Sequence, residues 1–355
     1  MQPTAHTAMP ANPRLSPSEC DKVAFLSSPR SYPERPENVS VLETHHSWVF
    51  LTDRHAWKMK KPFRHGGYDC SSLTARRHLC SEEYRLNLPL APLTYLGVLP
   101  LVVDENGRLH IDGDGRPVEW LVKMHRLPEE RMLDNAAPAN RVGHDDIEQL
   151  VDKLLDFYTS ARPCKAEPGD YVSRLREERA ETLAELHRPE FGFSAPQVEA
   201  LADTLEAYIE TQQALLESRQ RNALVREIHG DLRPEHVCLL DSGVIEILDR
   251  LEFDPELRCL DCVEELAYFG LECRVIGARW IETACRDAYQ AKHHDAAPPH
   301  LWQFYAARRA TVRAMLSAWH ALDGDDRHRW LRRGRNYLSL AEDYLDAGDA
   351  AMSRS

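Results

Sequence analysis

This sequence predicts an α+β fold in two lobes, a small β-rich one followed by a larger, mainly helical one. Three observations predict it. From residue 39 to residue 124 the pattern reads as strands, one helix, then strands again. Most of the chain beyond residue 124 carries apolar faces at helical spacing. A short β excursion at residues 237–248 interrupts those helices. The chain's 355 residues, 43% of them hydrophobic, are also more than one compact unit usually holds.

Taken in order, residues 1–35 are rich in Pro, Ser and Ala and read as a flexible lead-in. Residues 36–124 form the first lobe. Within it, 41–51 and 55–59 read as two strands about a turn at Thr52-Asp53-Arg54. Residues 62–69 are a loop punctuated by Gly66-Gly67. Residues 72–90 make a helix, with Leu79, Glu83, Leu86 and Leu90 recurring at its period. Residues 96–103 and 109–111 pair through Asp104-Glu105-Asn106-Gly107, and 117–124 is a further strand.

The second lobe spans residues 125–348. Ile147, Leu150, Val151, Leu154, Leu155 and Tyr158 share one helix face. Ser194 stands as an N-cap before a long helix with Val198, Leu201, Leu205 and Ile209 inward. Strands 237–240 and 244–248 join through Asp241-Ser242-Gly243, and helices resume from Asp261 to about Tyr344. The layout excludes a Rossmann domain, which alternates strand and helix throughout behind a glycine fingerprint. No segment matches the P-loop pattern.

The net charge of −13 disfavours a nucleic-acid partner. Residues 1–30 hold no apolar run of the signal-peptide kind, and no stretch of about 18 apolar residues suits a membrane span. A cytoplasmic protein is expected, its nine cysteines reduced thiols. Cys259 and Cys262 form a lone C-x-x-C; without a second pair they read as packing rather than as zinc ligands. Oligomeric state is not encoded in any pattern.

The chemistry gathers at Ile228-His229-Gly230-Asp231-Leu232-Arg233-Pro234-Glu235-His236-Val237. Moving a phosphoryl group to a hydroxyl takes a carboxylate that orients the hydroxyl and accepts its proton. It also takes ligands for a metal that screens the triphosphate. His229-Gly230-Asp231 has the H-x-D form of a kinase catalytic loop. His236 falls five residues after Asp231, and Asp249 ends the hairpin 18 residues after it, where a metal-binding Asp belongs.

On these residues the chain resembles the aminoglycoside-phosphotransferase and choline-kinase superfamily, with a bilobal protein-kinase-like fold. It is most similar to an uncharacterised bacterial subfamily within it. The resembling segments also include residues 44–51, 57–62 and 83–87, and together they cover roughly residues 39–340. In some such relatives a P-loop kinase domain follows, and this sequence is read as the kinase-like unit alone.

The resemblance implies ATP or GTP as co-substrate, magnesium (or manganese) as metal and a small hydroxylated acceptor. It implies Asp231 as the catalytic carboxylate and Asp249 as a metal ligand. A lysine of residues 57–62 would hold the nucleotide phosphates. Lys58 and Lys60 share a strand face, so the pattern leaves both open; Lys58 is favoured because it follows an aromatic residue. Glu83 is the expected ion-pair partner, with Glu82 as fallback. Val122 and Met124, entering the hinge, would offer backbone groups to the adenine, and amides about His46 and Ser47 would cover phosphates. Asp261 would brace the catalytic loop.

Three departures qualify the resemblance. His236 stands where Asn is usual, and imidazole suits softer metals than magnesium; it either ligates metal or contacts phosphate. The turn near Ser47 lacks a glycine-rich sequence. Glu252 and Asp254 crowd Asp249. Glu264, Glu265 and Glu272 are candidate contacts for a cationic acceptor. Two further readings are a nucleotide-binding regulatory module with little turnover, and a zinc hydrolase built on His229, Asp231 and His236.

Overall fold

The computed structural model describes residues 17–65, 68–164, 169–293, 295–323 and 326–352. The chain divides into two compact units, one ending at Leu127 and the other beginning at Pro128.

The first unit opens with helix α1 (Glu19–Leu26). Its cap is reciprocal: the Ser18 hydroxyl accepts the Asp21 N–H at 3.2 Å, and the Asp21 carboxylate accepts the Ser18 N–H at 2.9 Å. Leu26 and Tyr32 are buried in one core with Phe50, Trp57, Met59, Leu101, Val118 and Leu121. Lys22 pairs with the buried Glu119 at 2.8 Å, and Arg76 grips the same carboxylate through Nε and Nη2. The flexible lead-in expected for residues 17–35 is therefore corrected. Its Pro and Ser content concealed a capping box and apolar anchors whose burial offsets the ordering entropy. The rest of that segment, residues 1–16, lies outside the described residues.

Strands β1 (Ser40–Glu43), β2 (Ser47–Leu51) and β3 (His55–Lys60) follow, then a small pair β4 (Arg64–His65) and β5 (Tyr68–Asp69). Helix α2 (Leu73–Asn87) precedes β6 (Tyr95–Val103), β7 (Leu109–Ile111) and β8 (Arg116–His125). The main sheet is antiparallel in the order β1-β2-β3-β8-β6-β7. Residues 41–51, expected as one strand, are two. Thr44 turns the chain by donating its N–H to the Ser47 carbonyl at 2.9 Å and accepting the Ser47 N–H on Oγ1 at 3.0 Å. The proposed Gly66-Gly67 punctuation lies outside the described residues. Ser72 caps α2, whose buried face runs through Arg76, Leu79, Cys80, Glu83, Leu86 and Asn87.

The second unit is mainly helical: α3 (Leu133–Ala136), α4 (His144–Ser160), α5 (Asp170–Leu186), α6 (Ala195–Thr211), α7 (Gln213–Arg221), α8 (Cys262–Val275), α9 (Trp280–Lys292), α10 (Pro299–Asp323) and α11 (Arg327–Met352). Between α7 and α8 run β9 (Val225–Glu227), the hairpin β10 (Val237–Leu239) and β11 (Ile245–Ile247), and β12 (Cys259–Asp261), which pairs antiparallel with β9. Ser194 sits at the N-cap position of α6, but its side chain makes no capping bond. Helix α5 was not foreseen, because charged residues mask its buried Tyr171, Val172, Leu175, Thr182 and Leu186. Every residue of α8 from Cys262 to Cys273 is buried. A helix enclosed all round carries no amphipathic signal, yet this one holds three glutamates.

Cys164 and Cys259 form a disulfide, so the expectation that all cysteines are reduced is corrected for this pair. Cys164 reaches β12 because its N–H bonds to the Val225 carbonyl at 3.1 Å, which lays residues 163–164 along β9. The bond spans 95 residues of sequence. Closing so long a loop constrains the unfolded chain, so reduction, or the C164S/C259S double variant, is expected to cost about 2–4 kcal/mol. Thermal melts with and without dithiothreitol check this; superimposable melts of a chain shown by mass spectrometry to carry the bond refute it.

Candidate active site

The catalytic loop leaves β9 at Ile228 and turns sharply at Gly230, whose φ is 88°. A Cβ there would lie 3.0 Å from the Leu257 carbonyl oxygen, so both conformation and space demand glycine. The turn aims Asp231 into a ring of donors. Tyr268 of α8 donates its hydroxyl to Oδ1 at 3.0 Å, and Arg233 donates Nε–H to Oδ2 at 3.1 Å. Burial pushes the Asp231 carboxyl up, but the positive charges of Arg233 and Arg313 oppose it, and the carboxyl comes down to about 2. Asp231 is an anion throughout the neutral range, with its side chain about a quarter exposed at 27%.

Two histidines tie the loop to the hairpin's exit. His229 accepts the Asp231 N–H on Nδ1 at 3.3 Å and donates Nε2–H to the Leu248 carbonyl at 2.7 Å, one residue before Asp249. Burial depresses its pKa to about 3, so the ring is a neutral strut. With both ring nitrogens engaged by backbone, His229 has no lone pair for zinc, and the hydrolase reading loses its first ligand. His236 donates Nδ1–H to the Asp231 carbonyl at 2.9 Å, which leaves the lone pair on Nε2. That nitrogen accepts from Arg233 Nη2 at 3.1 Å and lies 3.8 Å from Asp249 Oδ2. Asp249 adopts a left-handed φ of 60°, uncommon for a residue with a side chain and frequent at functional sites.

The structure thus sets His236 between the Asp231 backbone carbonyl and the Asp249 carboxylate. An imidazole nitrogen and a carboxylate oxygen facing one another fit a divalent cation once Arg233 swings off Nε2. Among the described residues no group of three or more His, Cys, Asp and Glu gathers, so the other ligands would have to be phosphate oxygens or water.

Sequence reasoning passed over Arg233 and Tyr268. Arg233 could have been found two residues after Asp231, where an extended turn returns side chains to one side. Tyr268 belongs to the stripe Glu265, Tyr268, Glu272, at i, i+3 and i+7 of a buried helix.

Glu264, Glu265 and Glu272, expected to meet an acceptor, are buried and engaged. Glu265 accepts the N–H groups of His229 at 3.3 Å and Gly230 at 2.7 Å and the Tyr158 hydroxyl at 3.0 Å. Desolvation lifts its pKa to about 7. Glu264 pairs with Arg308, and Glu272 with Arg313 at 3.0 Å. The loop-bracing task foreseen for Asp261 therefore falls to Glu265, one helical turn on. Asp261 instead caps α8 by accepting the Val263 N–H at 2.8 Å, and binds Arg219 through both oxygens at 2.6 and 2.8 Å.

In the first unit, Lys58 and Lys60 both reach Glu83, at 3.0 and 2.5 Å. Period-two alternation puts them on one face, and a fully buried carboxylate between them takes both. Lys58 is the more accessible, with 14% of its side chain exposed against 4% for Lys60. Glu82, the fallback partner, pairs with Arg85 instead.

Three other expectations are corrected. Val122 and Met124 lie in β8, which has β3 on one side and β6 on the other, so their backbone groups belong to the sheet ladder. Their side chains are core. The Ser47 N–H is taken by Thr44, and Ser47 is buried opposite Lys60, so it covers no phosphate.

No family model matches the chain. Uncharacterized proteins of Mycobacterium tuberculosis and Mycobacterium bovis are 28% identical to it over 281 residues, 78% of this chain and 54% of theirs. The chain therefore spans about half the length of the curated relatives it matches. Among solved structures, Plasmodium vivax ethanolamine kinase aligns at a TM-score of 0.49, with 9% identity over 86% of this chain and 81% of its own. A thermostable mutant of aminoglycoside phosphotransferase APH(4)-Ia, in apo form, aligns at 0.51, with 13% identity over 88% of this chain and 96% of its own. With its antiparallel sheet in one unit and its enclosed helix, hairpin and H-x-D turn in the other, this chain has the α+β, kinase-like fold of the aminoglycoside phosphotransferases.

Proposed function

We propose that this chain transfers the γ-phosphoryl group of ATP or GTP to a hydroxyl of a small molecule. The observation that carries the reading is the Asp231 carboxylate, ionised and held by Tyr268 and Arg233, with His229 and His236 linking its backbone to the neighbourhood of Asp249. The fold, shared with a phosphotransferase, supports it as analogy.

In this mechanism Asp231 orients the acceptor hydroxyl and receives its proton as the new oxygen–phosphorus bond forms. The bond from the γ-phosphorus to the bridging oxygen breaks, and the nucleoside diphosphate leaves. Tyr268 and Arg233 hold the carboxylate's orientation. The guanidinium of Arg233 also brings positive charge to where the moving phosphoryl group needs it. Asp249 and His236 would hold the metal; magnesium, or manganese, when bound with the nucleotide neutralises the triphosphate. Lys58 would meet the nucleotide phosphates while Glu83 fixes its position. Cytoplasmic operation, without nucleic-acid or membrane partners, is part of the proposal, and in that compartment Cys164 and Cys259 would be held reduced. Among the described residues no helix is long and apolar enough to cross a membrane.

Incubation with γ-labelled ATP or GTP and a metabolite pool tests the reading. Transfer of label to a small molecule is expected; none across a broad pool, with or without manganese, counts against it. The lysines separate in a second measurement. Lys58→Met is expected to raise the KM for nucleotide about tenfold or more, with a smaller loss of stability than Lys60→Met because its contact to Glu83 is longer and its side chain more exposed. Lys60→Met is expected to lower stability by about 1–3 kcal/mol, because it removes one partner of a buried carboxylate. The opposite pattern would assign the phosphate contact to Lys60.

One observation favours a second reading, a nucleotide-binding regulatory module with little turnover. Both Asp231 oxygens and His236 Nε2 already accept hydrogen bonds from protein groups. Calorimetry showing micromolar nucleotide affinity without transfer to any acceptor would decide for it.

A further inference from the structure

The side chains that crowd Asp231 from the helical side are arginines. Arg309 of α10 lies over the Tyr268 ring at 4.1 Å from its centroid, and that ring's hydroxyl is bonded to Asp231. One turn along, Arg313 donates to Glu272 at 3.0 Å. Arg333 of α11 lies 3.9 Å from the same Glu272 and donates to the Tyr337 hydroxyl at 3.2 Å. Their carboxylate contacts are shared or long. Glu272 serves both Arg313 and Arg333. Glu264, 3.9 Å from Arg309, is already held by Arg308. Arg309 Nε is buried without a hydrogen-bond partner. On this helical side of Asp231, the donors left without a full partner are therefore guanidinium groups: the buried Nε of Arg309 and the part-exposed Arg333.

The glutamates that a cationic acceptor would need are spent on these arginines or on the loop backbone, with Glu264 and Glu265 at 0% and Glu272 at 3% exposure. A cation approaching Asp231 along α10 and α11 would meet Arg309 and Arg333. A carboxylate or phosphate would meet planar forks that bind it through paired N–H donors. We propose that the acceptor is an anionic alcohol, a hydroxylated carboxylate or phosphate ester, whose acid group is gripped by Arg309 and Arg333 while its hydroxyl meets Asp231. This rests on the phosphotransferase reading and gives that site its substrate class.

The test is calorimetry on the full chain with the non-hydrolysable nucleotide AMP-PNP. The anionic probes are D-gluconate and D-ribose 5-phosphate, and the cationic probes are choline and kanamycin. At least one anion is expected to bind. Its affinity should fall about tenfold or more in both R309Q and R333Q, and fall again as salt rises from about 0.05 to 0.5 M. The tighter of the two anions tells carboxylate from phosphate. Binding of the cations alone, of neither class, or of anions with unchanged affinity in R333Q overturns the proposal. Arg333, 35% exposed, keeps the test decisive if R309Q fails to fold. AMP-PNP titrated alone separates the two claims. Anion binding without nucleotide binding refutes the kinase reading and leaves the arginine site standing. Label transfer to choline or kanamycin refutes the arginine site and leaves the kinase reading.

Discussion

Replacing Asp231 with Asn is expected to reduce phosphoryl transfer by about a hundred- to ten-thousand-fold, the range that a positioned general base supplies. Two effects combine. An amide cannot take the acceptor's proton. It also cannot satisfy its surroundings, because Tyr268 donates to one oxygen and Arg233 to the other. Whichever way the amide turns, its NH2 group faces one of these donors, and the side chain loses its fixed orientation. Nucleotide affinity should change little, so the loss should fall on kcat. Because neighbouring cations bring the Asp231 carboxyl down to about 2, the wild-type pH–rate profile should show no acid limb from this group at pH 4 or above. Single-turnover transfer within about threefold of wild type in D231N would remove Asp231 from the chemistry.

The second large effect is on stability. Asp261→Ala is expected to cost about 3–5 kcal/mol, the range for breaking a buried ion pair from one side. Asp261 is fully buried, holds Arg219 through both oxygens, accepts the Tyr305 hydroxyl at 3.0 Å and caps α8. Its removal leaves the 3%-exposed Arg219 with Asp295 as its remaining carboxylate partner. Urea unfolding reads the loss. The R219M/D261L double variant should recover much of it, since a buried pair replaced by apolar groups is often tolerated better than one half-broken. A midpoint corresponding to less than about 1 kcal/mol in D261A would mean that Arg219 finds other partners and that the cap contributes little.

Much of the layout was legible because each element carries its own local signal. The alternation at β3, the apolar run at β8, the period of α2 and α4, and the Asp-Ser-Gly turn between β10 and β11 can be read without knowing what they pack against. The failures have the same origin. Helix α1, eight residues long, is too short for a periodic signal; its capping box and the anchors Leu26 and Tyr32 suffice only because the sheet supplies the rest of the core. Residues 41–51 divide at Thr44 through a side-chain bond that hydropathy does not register. Val122 and Met124 had the right character for a strand, but which strand lies on each side of β8 is a matter of pairing, and pairing decides whether backbone groups are spoken for.

At the candidate site, the H-x-D turn, the His five residues on and the Asp beyond the hairpin are spacings, and the sequence by itself determined them. It also determined the α+β class and the shared strand face of Lys58 and Lys60. The tertiary structure decided what surrounds those residues. It made His229 a neutral strut, set Arg233 and Tyr268 on Asp231, and turned three glutamates inward so that arginines stand in their place. The physical reason is that a charge in a buried helix acts according to its partner, and the partners of α8 lie 35 or more residues away along the chain, on the catalytic loop, α10 and α11.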